Sequence, residues 1–145
     1  MKIDMTTDAN KLAKRLKGRA NYAEEQIKKI ITKATFEVES TAKQGIQSGP
    51  KTGRIYTRRT VTHKASAAGE YPATDTGFLA SNISSKVSLV ELEGVVTSSA
   101  EYSKHLEFGT TNMQARPFMF PSLEKTKPKI RRMFKEAGIM KKVRN

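Results

Sequence analysis

Residues 102–123 read YSKHLEFGTTNMQARPFMFPSL, and this stretch determines how the second half of the chain folds. Tyr102 to Phe108 is predicted to form a short helix. Gly109 should end that helix, because glycine adopts the left-handed backbone conformation at little cost. After a polar loop, two prolines bracket three large apolar residues. Since the residue before a proline favours extended geometry, we expect a short extended segment and then a helix that begins at Pro121.

Two details of this stretch raise questions about its contacts. Glu107 lies in the last turn of the short helix, where the helix dipole disfavours an anion, and Arg116 is the nearest cation that could compensate it. The alternative is a solvated surface glutamate. Alternation in an extended segment would place Phe118 and Phe120 on one face and Met119 on the other. We expect all three side chains in the core, with an interface between subunits as the alternative for one face.

The same stretch resembles a known family. Its pattern Tyr-x-x-x-x-Glu-Phe-Gly-Thr, followed by Arg-Pro-Phe-x-x-Pro, is similar to the tail-component family of long-tailed bacteriophages. An upstream block, ASA-x-GE-x-PA-x-DTGFL over residues 65–79, strengthens the resemblance. The two blocks lie between Gly53 and Leu123. The positions that carry the motif are Thr76, Gly77, Leu79, Tyr102, Glu107, Phe108, Gly109, Thr110, Arg116, Pro117, Phe118 and Pro121.

The resemblance implies a structural role in the virion of a phage or prophage. Family members are minor tail proteins that complete the head-proximal end of the tail and join it to the head. The expected partners are further copies of the chain in a ring, with six copies suggested by the family, and the tail tube and head connector proteins. Rings arise from head-to-tail contacts between different surfaces of each copy. We expect the protein in the host cytoplasm during assembly and in the virion afterwards, with at most non-specific contact to the DNA in the channel.

Composition limits the other classes of function. The 145 residues suit a single domain spanning 1–145, and the formal net charge is +13. Residues 76–110 carry 2 basic and 4 acidic side chains, a net charge of −2, whereas residues 111–145 carry 10 and 2, a net charge of +8. Such a charge attracts polyanions, so a basic nucleic-acid-binding protein outside any virion is the alternative function. No apolar run approaches about 18 residues, so we expect no membrane partner.

The first half of the chain combines a helix with a basic loop. Residues 10–47 repeat apolar side chains every three or four positions and predict one long helix, with Gly18 as a weak point. Residues 48–75 are predicted to be a flexible basic loop whose middle has strand-like composition and could form a hairpin in an assembly. The alternative is a disordered insertion. The residues proposed to act in assembly, with a weak resemblance to a nucleic-acid contact, are Arg54, Tyr56, Arg58, Arg59, His63 and Lys64.

The remaining elements complete an α+β fold. Residues 76–123 should hold a short helix and two strands, joined by a hairpin turn at Glu93-Gly94. Residues 121–138 should form the closing helix, with a kink or restart at Pro128. The predicted fold is a long N-terminal helix and a C-terminal helix packed on a small antiparallel sheet, with a long flexible basic loop.

No arrangement of residues indicates catalysis. His63 and His105 lie in different segments, and the chain has no cysteine. The sequence contains neither a Walker phosphate-binding loop nor a dinucleotide-binding fingerprint. A hydrolase built on scattered acidic residues is the least supported class. We therefore expect a protein that is not an enzyme and that needs no cofactor or metal.

Overall fold

Helix α1 runs from Met5 to Ser48 in a computed structural model that describes residues 5–58 and 60–139. Its 44 residues make a rod of about 66 Å. It begins earlier than the predicted residue 10 and continues through Gly18 without a break. The second half of α1 packs on the body of the protein, where Ile30, Ala42 and Ile46 are buried. The predicted long helix is thus confirmed, and its apolar stripe packs across a sheet and a second helix.

The strands form two separate antiparallel hairpins rather than one sheet. Strands β1 (Ile55–Arg58) and β2 (Val61–Lys64) make the first, in the middle of the predicted loop. Strands β3 (Ile83–Ser88) and β4 (Glu93–Ser98) make the second, which lies against α1. Residues 55–58 and 61–64 of the predicted loop thus pair as strands within one chain, where their alternating Tyr, Thr and Val side chains favour pairing, as the strand-like composition of this stretch indicated. The flexibility of this segment stays a prediction.

The turn of the second hairpin differs from the prediction. Glu93 and Gly94 are paired residues of β4, and the chain reverses over residues 89–92, where Leu92 has a φ of 53°. Gly94 serves a different purpose from a turn glycine: a Cβ atom there would lie 1.8 Å from Oγ1 of Thr35 in α1. The absence of a side chain therefore lets strand β4 approach the helix closely.

Within residues 60–139 three further helices follow: α2 (Phe78–Ser81), α3 (Ser103–Phe108) and α4 (Met119–Glu136). Helix α4 begins at Met119, so Pro121 is its third residue rather than its first. The helix continues through Pro128, and the predicted restart there is wrong.

Helix α4 ends at Glu136, and Gly138, just past the cap residue Ala137, has a left-handed φ of 71°. The N–H groups of Gly138 and Ile139 donate to the carbonyls of Lys135 and Phe134, and these two bonds are the pair that closes a Schellman motif.

One buried cluster joins these elements. Its members come from α1, the segment before α2, α2, β3, the segment before α3 and the start of α4: Ala42, Ile46, Tyr71, Leu79, Ala80, Ile83, Ala100 and Phe118. The hydroxyl groups of Tyr71 and Ser122 lie 3.0 Å apart within it and form a buried hydrogen bond between the upstream motif block and α4. The α+β fold predicted from the sequence is confirmed, with two small sheets in place of one.

The three large apolar residues between the prolines do not behave as an extended segment. Phe118 is 1% exposed, Met119 is partly buried and Phe120 is 64% exposed. Because the helix already begins at Met119, neighbouring side chains point about 100° apart instead of alternating. The prediction that Phe118 and Phe120 share a face, and that all three are core, is therefore wrong.

Candidate assembly surface

The carboxylate of Glu107 binds the N-terminus of α4. It accepts hydrogen bonds from the backbone N–H groups of Phe118 at 2.8 Å, Met119 at 3.0 Å and Phe120 at 2.9 Å. The first four N–H groups of a helix have no partner within the helix, and the fourth here belongs to Pro121, which has no N–H. A single carboxylate therefore satisfies every free donor at this helix start, where the helix dipole also favours an anion.

Arg116 does not pair with Glu107, so that part of the sequence interpretation is wrong. Its Nε donates to the carbonyl of Ser66 at 3.1 Å, and its backbone N–H donates to the carbonyl of Leu106 at 2.7 Å. The helix N-terminus occupies the carboxylate of Glu107 instead. Arg116 thus joins the downstream motif block to the upstream block.

Several other motif residues hold the backbone in this shape. Gly109 ends α3 with a φ of 77°, and a Cβ atom there would lie 2.9 Å from the carbonyl oxygen of Met113. Gly77 also has a left-handed φ, and its N–H donates to Oγ1 of Thr74. Leu79 is buried in the core. These positions explain part of the motif through packing and backbone geometry.

The remaining roles of the motif residues are local. The hydroxyl oxygen of Thr76 accepts from the N–H of Phe78, and that of Thr110 accepts from the N–H of Asn112. Pro117 is half-buried and directly precedes Phe118. These contacts shape the loops that border the helices α2, α3 and α4.

Two motif aromatics, Tyr102 and Phe108, are exposed at the two ends of α3. Tyr102 is 42% exposed and lies beside Phe78, which is 52% exposed, with 6.2 Å between the ring centroids. Phe108 is 81% exposed at the end of α3. We call Phe78, Tyr102 and Phe108 the aromatic surface. Exposed large apolar side chains of this kind mark sites of contact with other molecules when they cluster.

The basic hairpin β1–β2 is tied to the upstream motif block through Asp75. Its carboxylate lies 3.2 Å from Nη1 of Arg58 and 3.2 Å from Nδ1 of His63. The ring of Tyr56 stacks on that of His63, with 5.7 Å between centroids. The structure thus brings together three of the residues predicted to act in assembly, and it adds Asp75, which the sequence interpretation did not include in this group.

The other predicted assembly residues are not part of this cluster. Arg54 and Lys64 are exposed at the base of the hairpin, where Arg54 directly precedes β1 and Lys64 ends β2. Arg59 lies outside the described residues. The strand-like composition of the loop's middle could predict the hairpin, whereas the sequence gives no signal that singles out Asp75, since Glu70 is the first acid after the basic stretch.

A second carboxylate holds the loop that follows the hairpin. Glu70 accepts from the hydroxyl of Thr52 at 2.5 Å, from the N–H of Thr52 at 3.1 Å and from the N–H of Ala67 at 2.8 Å. The hydrogen bond from the Thr52 hydroxyl, with those from the two backbone N–H groups, lowers the pKa of this carboxyl. Glu70 therefore joins the two ends of the segment that carries the hairpin.

The comparison with protein families identifies the chain. Residues 10–109 match the model of the HK97-gp10-like family, described as "Bacteriophage HK97-gp10, putative tail-component". The chain belongs to this family. The matched region includes the long helix α1, both hairpins and α3 up to Gly109, so the family resemblance reaches beyond the two motif blocks toward the N-terminus. Comparisons with curated proteins and with solved structures find no match.

Membership in the HK97-gp10-like family makes the protein a structural component of a phage tail, and the virion its location. No helix within the described residues is long and apolar enough to span a membrane. Among those residues, no group of three or more His, Cys, Asp or Glu side chains could hold a metal ion.

Proposed function

We propose that this tail component completes the head-proximal end of the tail and joins it to the head connector. The observation that carries the proposal is the aromatic surface. Phe108 belongs to the family motif, is 81% exposed, and makes its apolar side chain available at the end of α3. Since an isolated domain gains nothing from exposing aromatic rings at both ends of one short helix, a partner that covers them accounts for their position.

The proposed assembly is a ring of six copies around the DNA channel, with the tail tube on one side and the head connector on the other. The supporting observation is the number of large apolar residues exposed at separate places on one chain. They lie on the first half of α1, the basic hairpin, the turn of the second hairpin, the aromatic surface and the start of α4. A chain in a ring needs at least two different surfaces for its neighbours and further surfaces for the proteins above and below it.

The basic hairpin is proposed to contact a neighbour in the particle. It projects apolar and basic side chains together, with Ile55 at 62% and Val61 at 55% exposed. Asp75 holds it by contacts at the surface, where ion pairs contribute about 0–1 kcal/mol. A contact this weak can be exchanged for an acidic partner during assembly. The proposed role is structural and includes neither a catalytic step nor a cofactor.

Electron microscopy of lysates from a phage with this gene deleted tests the proposal. Full heads beside separate, complete tails would support a joining role, and adding back the purified protein should restore joined particles. Joined particles in the deletion lysate would overturn the proposal. Heads without any tails would also overturn it, because they would place the protein in building the tail itself.

A deletion of residues 54–64 tests the role of the hairpin in the same assay. The N–H of Gly53 lies 2.9 Å from the carbonyl oxygen of Ala65, so a short glycine linker can join the two ends without disturbing the body. We expect a folded protein that fails to restore joining. The matched control replaces the exposed pair Thr57 and Thr62 with serine, which keeps the strands and all the proposed assembly residues, and it should restore joining. Normal joining by the deletion variant would exclude a role for the hairpin.

Binding to nucleic acid is the second candidate function, favoured by the exposed basic residues of α1 and the hairpin. It predicts tight binding of duplex DNA by the isolated protein, with an affinity that falls steeply as salt rises. The joining role predicts only weak, non-specific binding. Titration of labelled duplex at two salt concentrations separates the two functions.

A further inference from the structure

The first turns of α1 extend beyond the body of the protein. Every side chain from residue 9 to residue 22, which we call the arm, is exposed. The arm carries five basic residues and no acidic residue, a net charge of +5, from Lys11, Lys14, Arg15, Lys17 and Arg19. The apolar residues on it are also uncovered, with Leu12 at 58% and Leu16 at 57% exposed. An uncovered apolar stripe on a charged helix is typical of a surface that binds a partner.

One face of the arm combines both kinds of residue. Leu12, Arg15, Leu16, Arg19 and Tyr22 follow one another at spacings of three, one, three and three, and together they line a shallow surface depression. Residues at such spacings lie along one side of a helix. This face therefore offers three apolar side chains with two guanidinium groups between them.

The turn between β3 and β4 has the opposite character. Residues 89–93, which we call the tip, read LVELE and carry a net charge of −2. Val90 is 94% exposed, and Leu89 and Leu92 are 47% and 38% exposed. Leu92 has a left-handed φ of 53°, a conformation that disfavours a leucine by about 1–2 kcal/mol. A strained backbone that presents an exposed valine next to two glutamates is a candidate for a contact surface.

The tip of one copy lies away from the arm of the same copy. Leu89 borders a depression formed by Lys28, Lys29 and Lys33 of α1, where the helix meets the body. Leu16 lies twelve residues before Lys28 in α1, which corresponds to a distance of about 18 Å along the helix axis. Because α1 is one continuous helix, the arm points away from its own tip. Contact between the two surfaces therefore requires two copies of the chain.

We propose that the tip of one copy docks on the arm of the next copy. Val90 lies against Leu12 and Leu16 in this contact, and Glu91 and Glu93 pair with Arg15 and Arg19. The arm carries a net charge of +5 and the tip a net charge of −2. This complementarity favours the tip, rather than a basic surface of the neighbouring copy, as the partner of the arm. The inference rests on the proposed ring, and it names the surfaces that join neighbouring copies.

The contact is head-to-tail, since arm and tip are different surfaces. It is small compared with the roughly 1,200–2,000 Å² that stable interfaces bury. A single pair of copies is therefore held weakly. Closing a ring makes the last contact intramolecular, which stabilises the whole set.

Charge reversal tests the contact directly. One variant carries Arg15→Glu and Arg19→Glu, and the other carries Glu91→Lys and Glu93→Lys. In each variant the side chains that would pair between the arm of one copy and the tip of the next have the same charge and repel each other. Each variant alone should remain monomeric at a concentration at which the wild type associates. An equimolar mixture should associate, because the reversed side chains at 15 and 19 of one variant then meet side chains of opposite charge at 91 and 93 of the other, and the unchanged pairs are restored in the reverse direction. Analytical ultracentrifugation measures the association, and circular dichroism confirms that both variants retain their helices.

Three results of this experiment would overturn the proposal: a wild type that stays monomeric, variants that each associate like the wild type, or a mixture that stays monomeric. The arm could also bind DNA instead of a second copy. That outcome would appear as duplex binding that the Arg15→Glu, Arg19→Glu variant loses while no sample associates, and it too would overturn the proposal.

Cross-linking gives a second, independent test, because the chain has no cysteine of its own. Copies with Leu16→Cys mixed with copies with Val90→Cys should form a disulfide-linked heterodimer under mild oxidation. The control pairs Leu16→Cys with Lys104→Cys, which is exposed on α3, far along the chain from the tip. Equal yields from both pairs would contradict the docking.

The experiments distinguish a failure of the proposed joining role from a failure of the proposed arm–tip contact. If the mixture stays monomeric while the gene deletion still leaves heads beside separate tails, the joining role holds and the arm–tip contact is wrong. If the mixture associates while joined particles form without the gene, the contact is real and the joining role is wrong.

Discussion

The carboxylate of Glu107 accepts a hydrogen bond of 2.8 Å from the backbone N–H of Phe118, and this bond begins a set of three to consecutive residues of α4. The side chain of Phe118 is meanwhile 1% exposed in the core. One residue is thus fixed twice, through its backbone by the motif glutamate and through its ring by the core. The position of α4 relative to α3 follows from this pair.

Replacing Glu107 should lower stability through the helix start rather than through an ion pair. We expect Glu107→Ala to reduce the free energy of unfolding by about 2 kcal/mol, since three N–H groups lose their acceptor. Glu107→Gln should cost about 1 kcal/mol, because an amide oxygen accepts fewer bonds and carries no charge for the helix dipole. Chemical denaturation measures both values.

The control for this prediction is Arg116→Met. The side chain of Arg116 donates a hydrogen bond to the carbonyl of Ser66, so the Arg116→Met substitution should lower stability independently of Glu107. In the double variant with Glu107→Gln the two losses should add within about 0.5 kcal/mol. A coupling energy well above that figure would restore the ion pair and contradict the structure.

Two glycines should respond to alanine with opposite signs. Gly94→Ala would place a methyl group 1.8 Å from Oγ1 of Thr35, so we expect a loss of about 1–3 kcal/mol. Gly18→Ala meets nothing within 4 Å on the exposed arm, and it should stabilise the protein by up to about 1 kcal/mol. Thermal unfolding compares the two variants. A Gly94→Ala protein as stable as the wild type would show that β4 does not pack closely against α1 at Thr35.

The loop held by Glu70 should loosen in acid. The hydroxyl of Thr52, followed by the backbone N–H groups, lowers the pKa of this carboxyl below its ordinary value of 4.5. A lowered pKa means that the stabilisation is fully present above about pH 4.5 and disappears as the pH falls through the folded-state value. We expect the stability difference between wild type and Glu70→Gln to shrink in that range. A difference that stays constant from pH 7 to pH 3 would exclude this contribution.

Two phenylalanines of the motif should separate folding from assembly. Phe118→Ala should cost about 3–5 kcal/mol, because the ring is 1% exposed in the core. Phe108→Ala should change the free energy of unfolding by less than about 0.5 kcal/mol, since its ring is 81% exposed. We nevertheless expect the Phe108 variant to fail in restoring joined particles to a deletion lysate. Full restoration would remove Phe108 from the proposed interface.

The sequence predicted the elements that depend on periodicity and on glycine. Apolar residues spaced by three or four located α1, and Gly109 and Gly138 correctly marked the ends of α3 and α4. Both signals are local, because a helix and its left-handed end are properties of a few neighbouring residues. The fold class followed from the order of these elements.

The errors concern partners that sequence does not display. The carboxylate of Glu107 accepts hydrogen bonds from backbone N–H groups. Because almost every residue has such a group, the sequence gives no sign of which ones will bind the carboxylate. Gly94 looked like a turn residue, whereas its role is a close approach to Thr35 that only the packed structure reveals. Phe120 is exposed because α4 begins two residues earlier than Pro121 suggested. Local rules place such residues in an element, but the contacts between elements decide their environment.

The single helix from the arm to the core has a mechanical consequence. Thr35 touches β4 at the site where Gly94 lacks a side chain, and this contact divides α1 into two unequal lengths. Leu16 lies about 28 Å from Thr35 on one side, and Ile46 lies about 16 Å from it on the other. Because α1 is also packed against the body at Ile30, Ala42 and Ile46, the helix is held over several turns on both sides of Thr35. The arm therefore keeps a fixed direction relative to the core, and a neighbour docked near Leu16 is held well outside the body of the copy that carries the arm.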